Sequence, residues 1–391
     1  MIHTVLKRLL RKITFCNKGV EDHRILNYFP SGKTPKGHVL VSYIPDSLLY
    51  RENDKRFKRH SNAWESAEIA RIFNRYGYAV DAISWDDRSF VSERNYTAVF
   101  DIHRNLLKCS SSGTHKIFHI TGSDPVFSNN AEQERLDALL RRRGVVVAPR
   151  RYVCEKDLEH FHGNLEAADS VTLIGNEITV ATFPAHLRHK MTLVTPTGSY
   201  LATVRDPKKT DIRKEFLWFN GTGAVHKGLD LVLEVFARNP EMVLHVVGPY
   251  RKERDFMAGY SHELTKCPNI ISHGFLSPSS RKFRKIAGNV LGFISPSCSE
   301  GISTSAITCM QYGIVPILSH NSGIDLTPDM GFLLQKCTID EIETAVLSIL
   351  DQPEQEIRRM IANSQEFALK RFSRAEFSRR MDTVVAHSLQ A

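Results

Sequence analysis

Glu300 lies in the run Pro296-Ser297-Cys298-Ser299-Glu300-Gly301-Ile302-Ser303-Thr304-Ser305, a carboxylate in a small-residue loop that opens into a helical pattern. Free backbone N–H groups at a helix start attract a phosphate, and the helix dipole strengthens the attraction. A carboxylate at the same mouth repels phosphate, because an ionised carboxyl only accepts hydrogen bonds. Its partner must therefore be rich in hydroxyl donors, and the two demands together describe a sugar joined to a phosphate. Gly301, Ile302, Ser303 and Thr304 supply the backbone for the anion, with Ser303 or Thr304 as helix cap. The apolar run 290–294 reads as the buried strand that delivers the loop.

A second constellation points the same way. Phe216-Leu217-Trp218-Phe219 reads as a strand, followed by Asn220-Gly221-Thr222-Gly223-Ala224-Val225-His226-Lys227-Gly228 and a helical pattern at Leu231, Val232, Val235 and Phe236. Glycines let a backbone approach its ligand closely, and a lysine at the end of the turn supplies a point charge to a diphosphate. Gly221, Thr222 and Lys227 are the candidate phosphate contacts.

These motifs resemble those of the GT-B glycosyltransferases of family four (group 1) type. The Glu300 segment resembles that family's E-x7-E signature, in which the first glutamate holds the donor sugar and the second the nucleotide ribose. Here the position of the second is Thr308, which offers one oxygen and no charge. The glycine turn resembles the family's G-R-x(n)-K-G segment. Lys227 matches its lysine, whereas the arginine position falls on Gly221 or Thr222, leaving His226 or Arg251 to replace it. Gly248 closes one intervening strand, and the Gly274-Phe275 turn is where the resemblance places the nucleotide base, unless Phe275 belongs to the core. In the first half, the resemblance puts a histidine after a strand against the donor sugar. His103 is the best match, with Asp101 in reserve and His119 and Asp124 as further cleft candidates.

The resemblance is strong over residues 215–350 and weak before 200. It implies an α/β GT-B fold, two Rossmann-like domains facing each other across a cleft. The implied reaction moves a sugar from a nucleoside diphosphate sugar to a hydroxyl on a carbohydrate or lipid-linked acceptor, with retention, in bacterial surface polysaccharide or glycolipid assembly. It needs no metal and no cofactor, since Lys227 and helix starts neutralise the diphosphate. The chain has no convincing D-x-D motif, and His160 and His162 lack a third ligand at suitable spacing. A sugar-nucleotide epimerase of the same architecture, or a non-catalytic partner of a polysaccharide complex, are the competing readings.

The elements that must position these groups alternate strand and helix, the pattern of a parallel sheet. With 391 residues, two domains are expected. Residues 38–200 form the acceptor-side domain, beginning with strands at 38–43 and 78–83 around a helix at 63–76; His60-Ser61-Asn62 stands where many relatives carry Gly-Gly. A linker at 201–214 leads to the nucleotide-sugar domain, 215–354. Helices in 355–391 return to the first domain, with Phe367, Leu369, Phe372, Phe377, Met381 and Val384 as packing surface.

Residues 1–37 read as a separate basic arm. Ile2, Val5, Leu6, Leu9, Leu10 and Ile13 share one helical face and Lys7, Arg8, Arg11 and Lys12 the other, which suits an anionic membrane surface or packing on the protein's own body. The net charge of +9 fits an anionic partner, but no nucleic-acid module accompanies it. Seven scattered cysteines without a C-x-x-C pair argue against a disulfide framework. No apolar run is long enough to span a bilayer and no signal peptide is evident, so the expected location is cytoplasmic, peripheral on the inner membrane face.

Overall fold

Short apolar runs separated by helical segments become the strands of two sheets in a computed structural model, which describes residues 23–52, 54–58, 61–199 and 214–390. The first sheet contains β1 (Ile25–Tyr28), β2 (Gly37–Tyr43), β3 (Tyr78–Ser84), β4 (Ala98–Asp101), β5 (His115–Ile120), β6 (Ser170–Ile174) and β7 (Met191–Val194), in the order β1-β3-β2-β4-β5-β6-β7. The second contains β8 (Glu215–Phe219), β9 (Val243–Val247), β10 (Ile270–Gly274), β11 (Gly292–Ser295), β12 (Val315–Ser319) and β13 (Phe332–Leu334), in the order β10-β9-β8-β11-β12-β13. All pairings are parallel except β1 with β3. Central strands are buried on both faces, which explains why their sequences are continuous apolar runs rather than alternating ones. This is the mixed α/β architecture expected, with helices laid against both sheets.

Each sheet reverses its strand order once, between β2 and β4 in the first and between β8 and β11 in the second. Helix α1 (Ser61–Arg75) follows β2, and α2 (Pro125–Arg143) follows β5. In the second half α3 (Leu229–Arg238) follows β8 and α4 (Thr304–Gln311) follows β11. The chain ends in α5 (Glu354–Arg371) and α6 (Arg374–Ser388), divided at Phe372-Ser373, where the Ser373 hydroxyl caps α6 by accepting from the Glu376 N–H. Phe377, Met381, Val384 and Val385 of α6 join the core of the first sheet beneath α1, with Trp64 and Phe377 edge to face at 6.0 Å.

Three sequence expectations change. Ile25–Tyr28 pairs with β3, so the first sheet begins inside the segment read as a free arm; four residues are too few to show a period. Phe372 packs in the second sheet's core with Phe367 against it, and Leu369 is exposed, so only the α6 half of the expected surface reaches the first sheet. The amphipathic stretch 1–15 and residues 201–213 of the linker lie outside the described residues.

Phe377→Ala should cost about 3–5 kcal/mol, the usual loss for an aromatic deleted from a packed core, whereas Leu369→Ala should change stability by less than about 0.5 kcal/mol. Denaturant unfolding of the two variants checks the assignment of the returning helix.

Candidate active site in the cleft between the two sheets

The turn after β8 is shaped by a buried carboxylate. Glu253 accepts the N–H groups of Gly223 at 2.8 Å and Ala224 at 3.0 Å, and the Lys227 N–H closes the turn on the Gly223 carbonyl at 2.8 Å. Gly228 then adopts φ 69°, and a Cβ there would lie 2.5 Å from the Pro296 ring and 2.7 Å from its carbonyl oxygen. Only glycine allows this approach, and it brings the turn against the loop after β11. His226 completes the join: its Nε2 bonds the Ser299 carbonyl at 2.8 Å while its own carbonyl accepts the Cys298 N–H at 2.9 Å.

The outcome is a direct ion pair between the Lys227 ammonium and the Glu300 carboxylate, in which Lys227 is 6% exposed. Burial pushes the Glu300 carboxyl up, but the charges of Lys227 and Arg151 outweigh it and hold the group below the ordinary carboxylate range. The two residues expected to touch diphosphate and sugar thus neutralise each other at the point where the second sheet reverses its order, the usual place for a ligand in such sheets.

A cation reaches the glycine turn from the other half of the molecule. Arg151 lies in the loop after α2, where the Glu132 carboxylate accepts the N–H groups of Arg150 and Arg151, each at 3.1 Å. Arg150 pairs with Asp255, and the Ala148 N–H donates to the same carboxylate at 2.9 Å, fastening the loop across to the second half. The Arg151 side chain runs past Gly223, with its Cγ 3.3 Å from where a Cβ would stand, and it lines the cleft beside Lys227 and Glu300. The two sequence candidates for this role, His226 and Arg251, are not in the lining of the cleft. Burial, reinforced by the charges of Lys227 and Arg151, lowers His226 to about 3, so its ring is neutral. Arg251 donates to the Ser272 carbonyl at 2.8 Å and packs on Gly274.

The cleft encloses about 1140 Å³. Of the expected donor contacts, Gly221, Thr222, Phe275, Ile302, Ser303, Thr304 and Thr308 line it with Lys227 and Glu300. Phe275 is 67% exposed, so it is a wall of the cleft and no part of the core. The Thr308 hydroxyl is already engaged, donating to the Thr304 carbonyl at 2.8 Å and accepting the Ser199 N–H at 3.3 Å. Gly248 and Gly274 shape the turns behind the lining. Gly301 is the contact between halves: a Cβ there would sit 2.5 Å from the Ile174 carbonyl oxygen and 2.6 Å from that of Thr121. Nearby, the Ser123 and Ser299 hydroxyls bond each other and the Asn176 amide donates to Asp325 at 2.7 Å.

The first-half candidates stand apart from this cleft. His103 packs its ring against Trp85 beside Arg104 and His160, and burial ahead of the Arg104 charge lowers its pKa. Asp101 accepts the N–H groups of His103, Asn105 and Leu106 on its Oδ2 at 2.9–3.1 Å. His119 is wholly buried in β5, its Nδ1 2.7 Å from the Thr172 hydroxyl, and burial lowers it to about 4. Asp124 caps α2 and meets His162 Nε2 at 3.0 Å. Tyr43, Glu65 and Thr121 line the cleft from this side instead. Among the described residues no group of three or more histidine, cysteine or acidic side chains is placed to hold a metal.

Residues 203–367 match the family described as glycosyl transferases group 1. Among solved structures the chain is similar to sucrose-phosphate synthase from Thermosynechococcus elongatus, with TM-score 0.61, 12% identity, and coverage of 90% of this chain and 98% of that one. It is likewise similar to WaaG, a glycosyltransferase involved in lipopolysaccharide biosynthesis, with TM-score 0.57, 12% identity and coverage of 89% and 99%. TarM of S. aureus, solved as a mutant with UDP bound, follows at TM-score 0.53 and 11% identity over 75% of this chain; the chain spans 55% of TarM's length. No curated protein matches by sequence. The fold is that of the GT-B glycosyltransferases.

Lys227→Met should destabilise the protein by about 3–5 kcal/mol, since it strands a buried carboxylate, whereas Lys227→Met with Glu300→Leu should recover much of the loss. The Glu300 carboxyl is depressed in the folded state, so its contribution is complete above 4.5 and fades as pH falls through the lower folded value. The stability gap between wild type and Glu300→Gln should therefore close in acid, measured by unfolding across pH.

Proposed function

We propose that the chain transfers a glycosyl unit from a nucleoside diphosphate sugar to a hydroxyl acceptor, with retention, in the assembly of a bacterial surface polysaccharide or glycolipid. The observation that carries this reading is the buried Lys227–Glu300 pair with Arg151 beside it at the strand-order reversal of the second sheet. A diphosphate takes over Lys227 and Arg151, and the hydroxyls of its sugar take over Glu300. Donor binding thus replaces one neutral pairing by two, leaving no buried charge alone. When the bond from the anomeric carbon to the diphosphate breaks, negative charge grows on the leaving phosphate. The two cations and the N–H groups at the start of α4, which line the same cleft, are the groups that stabilise that charge. Phe275 offers a face for the nucleotide base. UDP is the first nucleotide to try, because the TarM structure holds it.

The test is a panel of nucleoside diphosphate sugars with mass detection of released nucleotide, with and without carbohydrate acceptors. Free epimerised sugar nucleotide in the absence of acceptor would point instead to an epimerase. Lys227→Ala and Arg151→Ala should each lower turnover by about a hundredfold or more, the cost of removing a preorganised charge from a developing anion. Turnover equal to wild type would strike that residue from the mechanism.

No helix among the described residues is long and apolar enough to cross a membrane. Attachment is instead ascribed to residues 1–15, whose four basic side chains contribute about 1 kcal/mol each near an anionic leaflet. Deleting residues 1–15 should abolish flotation with anionic liposomes while sparing donor turnover, and full flotation of the truncated chain would refute this attachment.

A further inference from the structure

The first sheet reverses its strand order beside β2 as the second does beside β8. In the second sheet the carboxyl ends at the reversal carry Lys227 and Glu300. The corresponding place in the first is marked by Tyr43, the last residue of β2, and by Glu65 in the second turn of α1. Both belong to the lining of the cleft that contains the ion pair. Ligands of parallel sheets gather at such reversals, and two facing sheets offer two such places for one reaction.

Neither side chain is fully used by the protein. Glu65 is 1% exposed and takes the Thr197 N–H at 2.6 Å and the Thr197 hydroxyl at 2.8 Å, both on Oε1. Among the described residues no hydrogen bond ends on Oε2 and no cation pairs with the carboxylate. The Tyr43 hydroxyl is buried without a partner. Burial raises the Glu65 carboxyl to about 7, ahead of the Thr197 bonds that lower it, so near neutral pH it both donates and accepts. Buried polar groups left open toward a cavity are groups awaiting a ligand. Here the ligand must exchange hydrogen bonds without bringing negative charge, because among the described residues Glu65 has no counter-ion.

We propose that Tyr43 and Glu65 form the acceptor subsite and hold an uncharged, hydroxyl-bearing glycoside. A hydroxyl there donates to Glu65 Oε2 and accepts from the Tyr43 O–H. The inference rests on the transfer reading above, and the two can fail separately. The experiment uses the full chain saturated with UDP, methyl α-glucoside as neutral probe and methyl glucuronoside as charged probe, followed by saturation-transfer NMR. The neutral probe should bind wild type better than the charged one. Glu65→Gln and Tyr43→Phe should each weaken it about tenfold, the worth of one good hydrogen bond, with UDP affinity by calorimetry within about twofold of wild type. No binding of the neutral glycoside, preference for the charged one, or unchanged binding in both variants would overturn the proposal. A lower thermal midpoint with unchanged glycoside binding would reduce Glu65 to a tie between α1 and Thr197. Failure of wild type to bind UDP would overturn the donor reading itself, and this inference with it.

Discussion

Burying a lysine and a glutamate against each other is the constraint around which the second half of this molecule is arranged. Two charges removed from water must meet closely or not be buried at all. That demand explains the glycine at 228, which lets the lysine turn touch Pro296, and the neutral His226, which ties the two loops through Cys298 and Ser299. It explains Glu253 as well, whose carboxylate fixes the turn from below. None of these residues faces the cleft chemistry, yet each sets where the pair sits.

The first half has a different task. Its strand-end polar residues mostly serve the backbone: Asp101 gathers the N–H groups of its own loop, and Asp124 caps a helix. What it gives the cleft comes from one helix, the ends of β2, β5 and β6, the arginine loop and the segment after β7. The two halves meet at Gly301, where serine hydroxyls and an amide tie the loops, and along α2 and the loop after it, where Arg142 pairs with Asp230 and Glu234 and Arg150 with Asp255.

Much of the second half was legible in the sequence because its chemistry is local. The strand, glycine turn and lysine occupy one run of residues, as do the strand, Glu300 and the start of α4, so spacing alone delivers them to the same sheet edge. Arg151, Glu65 and Tyr43 carried no such signal. They reach the cleft by topology, from segments more than sixty residues from either motif, and an arginine among many or a glutamate in a helix is ordinary in sequence. His103 and Asp101 fall outside the cleft lining, and a polar cluster after a strand looks the same in sequence whether it meets a substrate or satisfies its own loop. Thr308 was located, but its hydroxyl is occupied by Thr304 and Ser199, which no motif encodes.

Arg151 and Lys227 belong to opposite halves, so the positive field at the diphosphate position is a joint property of the two. Its strength depends on how far apart the halves stand, since attraction between charges falls with distance and more steeply once water enters between them. The affinity of the site for a doubly charged leaving group is therefore tied to the geometry of the whole molecule. A change that shifts α2 and the loop after it against the second half, such as loss of the Arg150–Asp255 pair, would weaken the field in the pocket without touching a residue that lines it.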